Sequence, residues 1–172
     1  VDGGKFSGRL ASPYGITADP SSGTLYITEL NHIIRRINTS TGEITTLVGS
    51  AGLAGTADGT GSAARFNQPY ALVFVNATLF VADTSNHSIR KVNLSTMEVS
   101  TLAGLSGTSG AVDGVGNASR FNSPRGIAVD QAMANLFVSD YSNHSIRKIE
   151  IATGTVTTLA GVLGLAGYSD GV

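Results

Sequence analysis

The chain has 172 residues, enough for one ordinary domain with its own core, and is 41% hydrophobic but only 13% charged. A formal net charge of −1 gives no overall field that would favour nucleic acid or an anionic membrane. The absence of cysteine excludes disulfides, thiolate zinc sites and cysteine nucleophiles, and no apolar run approaches the roughly 20 residues of a membrane-spanning helix. Low charge with 22 glycines and much Ser and Thr suits many short strands joined by turns. No signal peptide is visible, and Val1-Asp2-Gly3 reads as the start of an excised segment.

Asp2-Gly3 returns as Asp58-Gly59, Asp113-Gly114 and Asp170-Gly171, at spacings of 55 to 57 residues. Residues 1–172 therefore read as one segment of three units, 2–57, 58–112 and 113–169, with 170–172 opening a fourth. Each unit begins with twelve residues that end in Pro13, Pro69 or Pro124. The second and third copies read DGTGSAARFNQP and DGVGNASRFNSP; the first keeps the Asp-Gly, the Arg and the Pro, with Leu10 where Phe66 and Phe121 stand. This segment is expected to be a loop with one helical turn, and Asp58 and Asp113 to close the turn or cap it.

Four strand-like runs follow in each unit. The first is Tyr14 to Ala18, Tyr70 to Val75 or Arg125 to Val129, entered through a proline, which suits a strand's first position. The second is Leu25 to Thr28, Leu79 to Ala82 or Leu136 to Ser139. The third carries the motif that sets the register: Asn31-His32 with Arg35, Asn86-His87 with Arg90, and Asn143-His144 with Arg147. The fourth is Glu43 to Val48, Glu98 to Ala103 or Thr155 to Ala160, β-branched and Thr-rich. Length differences fall between the runs, as indels in loops do. Met97 holds the turn position that Gly42 and Gly154 hold elsewhere, so a left-handed turn would strain it. Glycine at every third position, as in Gly49, Gly52 and Gly55, then forms a compact loop back to Asp-Gly.

Four antiparallel strands repeated without intervening helices indicate an all-β fold of propeller blades rather than a solenoid, whose repeats are shorter. Pro124 to Asp130, Leu79 to Asp83 and Asn86-His87-Ser88-Ile89-Arg90-Lys91 together resemble the NHL repeat. Ala71 and Leu72 depart from its Gly-Ile, and Glu29 replaces the second-strand Asp in unit one, where the following loop is one residue shorter. The resemblance implies β-propellers, commonly six-bladed, with the first strand innermost. Three blades cannot close a ring and would leave two apolar faces open, so a second copy of the chain or further repeats is expected to complete it.

His32, His87 and His144 are candidates for a ring of metal ligands, as the resemblance to peptidyl-hydroxyglycine lyases implies; the simpler reading makes them turn residues bonded to backbone. Arg35, Arg90 and Arg147 are expected to bury their stems and pair with Glu29, Asp83 and Asp140 rather than face an anionic ligand. Asp58-Gly-Thr-Gly-Ser-Ala-Ala offers one acid where a calcium loop needs several, and it lacks the βαβ setting of a dinucleotide loop. No nucleophile elbow and no carboxylate pair are singled out, so neither an enzyme nor a cofactor is expected.

By strand parity, the second-to-third turns and the long return loops share one end. The residues there vary between units: Tyr14, Tyr70 and Arg125 after the proline, and Leu30, Ser85 and Tyr141 before Asn-His. Varied aromatic and Arg residues on a repeated frame make this end the candidate ligand-binding face. The expected function is a non-catalytic module that binds a protein or peptide. The alternatives are a metal-dependent lyase or hydrolase, an RNA-binding domain like some NHL domains of tripartite-motif proteins, which near-neutral charge disfavours, and a purely structural repeat array. Sequons at Asn38, Asn76, Asn86, Asn93, Asn117 and Asn143 point to a larger secreted or surface protein, although Asn86 and Asn143 are motif positions and the lack of cysteine fits a cytoplasmic protein equally well.

Overall fold

In a computed structural model describing residues 1–167, every strand-like run becomes a strand, and each unit closes on itself as one antiparallel sheet. The first sheet is β1 (Pro13–Asp19), β2 (Thr24–Glu29), β3 (Ile33–Asn38) and β4 (Ile44–Gly49), in that spatial order. The second unit contributes β5 (Gly59–Thr60), β6 (Pro69–Val75), β7 (Thr78–Asp83), β8 (Ser88–Asn93) and β9 (Glu98–Ala103). The third contributes β10 (Gly114–Val115), β11 (Pro124–Val129), β12 (Asn135–Asp140), β13 (Ser145–Glu150) and β14 (Thr155–Ala160). The expected fourth Asp-Gly, at Asp170-Gly171, lies outside the described residues.

One local expectation is corrected. The Asp-Gly segment is not only loop: β5 adds outside β9, and β10 outside β14, as a fifth strand. Two residues are too few for a period-two pattern, so nothing in the sequence marks them. The single helical turn does follow, as 3-10 turns at Gly61–Ala63 and Gly116–Ala118. Met97 adopts φ +58° and carries the left-handed turn despite its side chain.

Packing explains the apolar runs. In β7, Leu79 and Val81 enter the core shared with the first sheet, whereas Phe80 and Ala82 enter the core shared with the third. A strand buried on both faces needs apolar residues at successive positions rather than at alternate ones. Phe66 and Phe121, fully buried, each fill a joint between sheets. Burying one such ring contributes about 1.5–3 kcal/mol. The axial strands β1, β6 and β11 stand side by side, while β4 and β9 meet the next sheet through the 3-10 turns. The sheets therefore fan out from their first strands as propeller blades do.

The departure at Ala71 has a local cause. Each axial strand has a register shift just after its proline. Gly15 and Gly126 there donate N–H to Thr28 Oγ1 and Ser139 Oγ, and a Cβ on either glycine would lie 3.0 Å or less from that oxygen. In the middle blade the facing residue is Ala82, which has no hydroxyl, and alanine is accommodated at position 71.

Candidate interaction face

Beneath the candidate face lies the polar chemistry that recurs in every blade. Arg90 is fully buried; its two terminal nitrogens reach Asp83 at 2.9 Å and Asp58 at 2.7 Å. Arg147 repeats this with Asp140 at 2.8 Å and Asp113 at 2.6 Å. The same guanidinium groups donate to the backbone carbonyls of Arg65 and Ala57, or Arg120 and Val112, and lie about 5 Å from the rings of Phe66 and Phe121. Asp83 also accepts from Asn67 N–H and from Asn86 Nδ2, both at 2.8 Å, so its oxygens are saturated. Such geometry is what a buried ion pair requires to offset desolvation. Burial nonetheless pushes the Asp83 carboxyl up to about 6, against the opposing pull of Arg90 and the N–H donors.

Asp58 and Asp113 do not cap the helical turn. Each carboxylate accepts the N–H and hydroxyl of a threonine in the outer main strand, Thr101 or Thr158, as Asp2 does from Thr46. They pin the opening segment across the blade edge and onto the buried arginine. For Asp2 and Asp113 partial burial pulls upward, but the threonine donors and the guanidinium outweigh it and hold both carboxyls below the ordinary value. The first blade is a looser version. Glu29 stands 3.5 Å from Arg35, and Asn31 Oδ1 is buried without a partner.

The histidines join blades. Each sits in the left-handed region, at φ between +53° and +77°. Nδ1 of His32 accepts the N–H of Gln68 at 3.1 Å, and Nδ1 of His87 accepts that of Ser123 at 3.0 Å, each from the following blade. Acceptance at Nδ1 places the ring proton on Nε2 in the neutral form. Desolvation lowers the pKa of both. His144, on the last blade, is exposed. Among the described residues no three His, Asp or Glu side chains gather as metal ligands.

Four of the six varied residues come together at the end of the blades where strand one begins and strand two turns into strand three. The rings of Tyr14 and Tyr70 lie 4.1 Å apart, centre to centre. Arg125 Cζ lies 5.3 Å from the Tyr70 ring centre and 3.6 Å from that of Tyr141. The result is a continuous strip, Tyr14–Tyr70–Arg125–Tyr141, running over all three blades near the axis, with Tyr14 and Tyr141 more than half exposed. Leu30 and Ser85 occupy corresponding turns outside the strip, and the Ser85 hydroxyl donates to Gln68 Oε1. At the opposite end a cleft of about 580 Å³ is lined by Phe74, Ala77, Met133 and Asp19; no feature of the sequence singled these residues out. Among the sequons, Asn38, Asn76 and Asn117 are exposed, whereas Asn86 and Asn143 are buried with their amides bonded to Asp83 and Asp140. No helix among the described residues is long and apolar enough to cross a membrane.

Residues 121–149 match the family model of the NHL repeat. NHL repeat-containing protein 2 of Bos taurus is 33% identical over 105 residues, 60% of this chain and 14% of that protein. Its Homo sapiens counterpart is 28% identical over 161 residues, 87% of this chain and 22% of that protein. Protein SUPPRESSOR OF QUENCHING 1, chloroplastic, of Arabidopsis thaliana is 30% identical over 163 residues, 91% of this chain and 15% of that protein. The chain thus spans less than a quarter of the length of these relatives. Among solved structures, an auxiliary nutrient binding protein from Bacteroides thetaiotaomicron superposes with a TM-score of 0.71 at 28% identity, over 83% of this chain and 36% of that one. A chain of a nidogen/laminin complex shares the fold, with a TM-score of 0.62 at 19% identity over 92% of this chain and 49% of that one.

Proposed function

The chain belongs to the NHL-repeat family, and from that membership we propose that it is a non-catalytic scaffold that binds a protein or peptide through the Tyr14–Tyr70–Arg125–Tyr141 strip. The observation that carries this reading is a contrast within the repeats. The buried Arg, Asp and Asn recur and are engaged with one another, while the strip changes from Tyr to Arg in the third blade and keeps Tyr14 and Tyr141 more than half exposed. Tyrosine and arginine are the residues that dominate binding energy at protein interfaces. The test compares proteins retained by the intact chain with those retained by a Tyr14→Ser/Tyr70→Ser variant of unchanged melting temperature. A partner lost with the variant supports the reading; identical retention by both overturns it.

A second proposal concerns the open flanks. Phe66 packs against Gly49 beside His32, and Phe121 against Gly104 beside His87. The equivalent seat at His144 and Gly161 is a cleft of about 260 Å³, bordered by Tyr141 and Ile146. On the other flank Leu10 stands at the Phe66 position, and Ser12 has φ +53°, matching Gln68 and Ser123, whose N–H groups bond the histidines. These flanks read as two halves of one more joint, closed by a second copy in a six-bladed ring or by further repeats of a longer protein. Light scattering after size-exclusion chromatography separates the two. A mass near twice 17.5 kDa favours the second copy; a monomer rules it out in favour of further repeats. The exposed sequons support placing the parent protein outside the cell or on its surface.

A further inference from the structure

Given that this end is the binding face, we propose that Arg125 is the receptor for a single carboxylate of an acidic peptide. Most of the other arginines are committed. Arg35, Arg90 and Arg147 each hold two carboxylates, Arg65 and Arg120 fold back onto carbonyls of their own loops, and Arg36 meets Thr45; Arg9, in the opening segment, is exposed and has no aromatic neighbours among the described residues to fix it. Arg125 has no acceptor among the described residues, and its Nε is buried without a partner. The described carboxylates are all placed elsewhere. They lie buried against an arginine, tied to a threonine at the blade's outer edge, or on turns and strand ends at the far end, such as Asp19, Asp130 and Glu98.

What surrounds Arg125 is aromatic. Tyr70 and Tyr141, from two different blades, both lie under the guanidinium and restrict its rotamers while leaving its charge uncompensated. A planar, preorganised fork suits the two oxygens of a carboxylate. Phosphate sites instead recruit several donors or a helix N-terminus, and here one guanidinium stands without either. At the joint between the second and third blades the turn residue Thr84 donates its Oγ1 proton to Pro124 O at 2.6 Å, the position that Tyr141 holds in the third blade; at the first joint Thr28 of β2 donates to Tyr70 O instead. A following blade would therefore cover the flank of Tyr141, while Arg125, on the axial strand, keeps its place at the mouth.

The test is a nuclear magnetic resonance titration of the intact chain, with the Arg125 Nε–H as reporter in the unaltered protein and the backbone amides of residues 70, 125 and 141 as reporters in every variant. Acetyl-tetraglutamate amide shifts this resonance, and the tetraglutamine counterpart binds at least about tenfold more weakly. Arg125→Lys keeps the charge but loses the fork, and weakens the glutamate peptide by a similar factor; Tyr141→Leu weakens it by several-fold. An equal response to the glutamine peptide, tighter binding of inorganic phosphate, or unchanged binding by Arg125→Lys would each overturn the assignment. Should the lysine variant fail to fold, the glutamate, glutamine and phosphate titrations on the unaltered chain still decide. A partner lost with Tyr14→Ser/Tyr70→Ser yet indifferent to Arg125→Lys would refute this inference and leave the binding face intact.

Discussion

Replacing Asp83 with alanine removes the acceptor on which the middle blade's polar cluster converges. Three bonds disappear, from Asn67 N–H, Asn86 Nδ2 and Arg90, all between 2.8 and 2.9 Å. Arg90 cannot shed its proton and stays buried with only the half-exposed Asp58 as counter-ion. Breaking a buried pair in this way costs about 3–5 kcal/mol. The surviving Asp58 contact places the expectation near the lower end, about 3 kcal/mol. For a chain of this size that is a fall in melting temperature of roughly 6–12 °C. The outward-facing Lys91→Ala, on the same strand as Arg90, is the control and should stay within about 0.5 kcal/mol. Removing the other partner, as Arg90→Met, leaves Asp83, which burial already pushes towards protonation. That variant should therefore lose less stability at pH 5 than at pH 8. Urea midpoints at constant m-value measure all three. A loss below about 1 kcal/mol for Asp83→Ala would show that the cluster is not what holds the blade, and the reasoning would fail.

Acidification should weaken the joints between blades. Nδ1 of His32 and His87 must be unprotonated to accept the next blade, and burial lowers both pKa values, so below about pH 6.5 the unfolded chain takes protons first. Their contribution to stability is thus present above that pH and lost as pH falls. Asp83, shifted upward, acts in the opposite sense between about pH 4 and 6 but is common to wild type and a His32→Gln/His87→Gln variant. The difference between the two stability–pH curves isolates the histidines, and parallel curves would contradict the assignment. Gly104→Ala should cost more than about 2 kcal/mol, because φ is +88° and its Cβ would fall 2.7 Å from the His87 carbonyl. Gly52→Ala, at φ +76° with open space around it, should cost only about 1 kcal/mol in the same melting assay. Secretion from a glycosylating host should give endoglycosidase-sensitive mass at Asn38, Asn76 or Asn117 and none at the buried Asn86 and Asn143; glycan on the buried pair would contradict their placement.

The strands were legible because each unit alternates strand-forming runs with indel-bearing loops, and three copies average out local noise. The 3-10 turn and the pairing of Arg90 with Asp83 were legible too, since both follow from residue chemistry at fixed spacing. The second counter-ion was not. Asp58 precedes Arg90 by 32 residues and meets it only once the opening segment crosses the blade edge. The same holds for His87 and Ser123, 36 residues apart, whose contact belongs to the joint rather than to either blade. At the candidate face, parity showed which residues share an end. It gave no sign that Arg125 would lie over Tyr70 and Tyr141, because that depends on how far the blades rotate against each other.

The division between engaged repeat chemistry and open varied surface is best tested by hydrogen exchange of the intact protein alone and with the partner it retains. New protection is expected in the segments around Tyr14, Tyr70, Arg125 and Tyr141, with the turns at Asp19, Asn76 and Met133 unchanged. Protection centred on those far turns and the cleft beside Phe74, with the strip left as it was, would contradict the account.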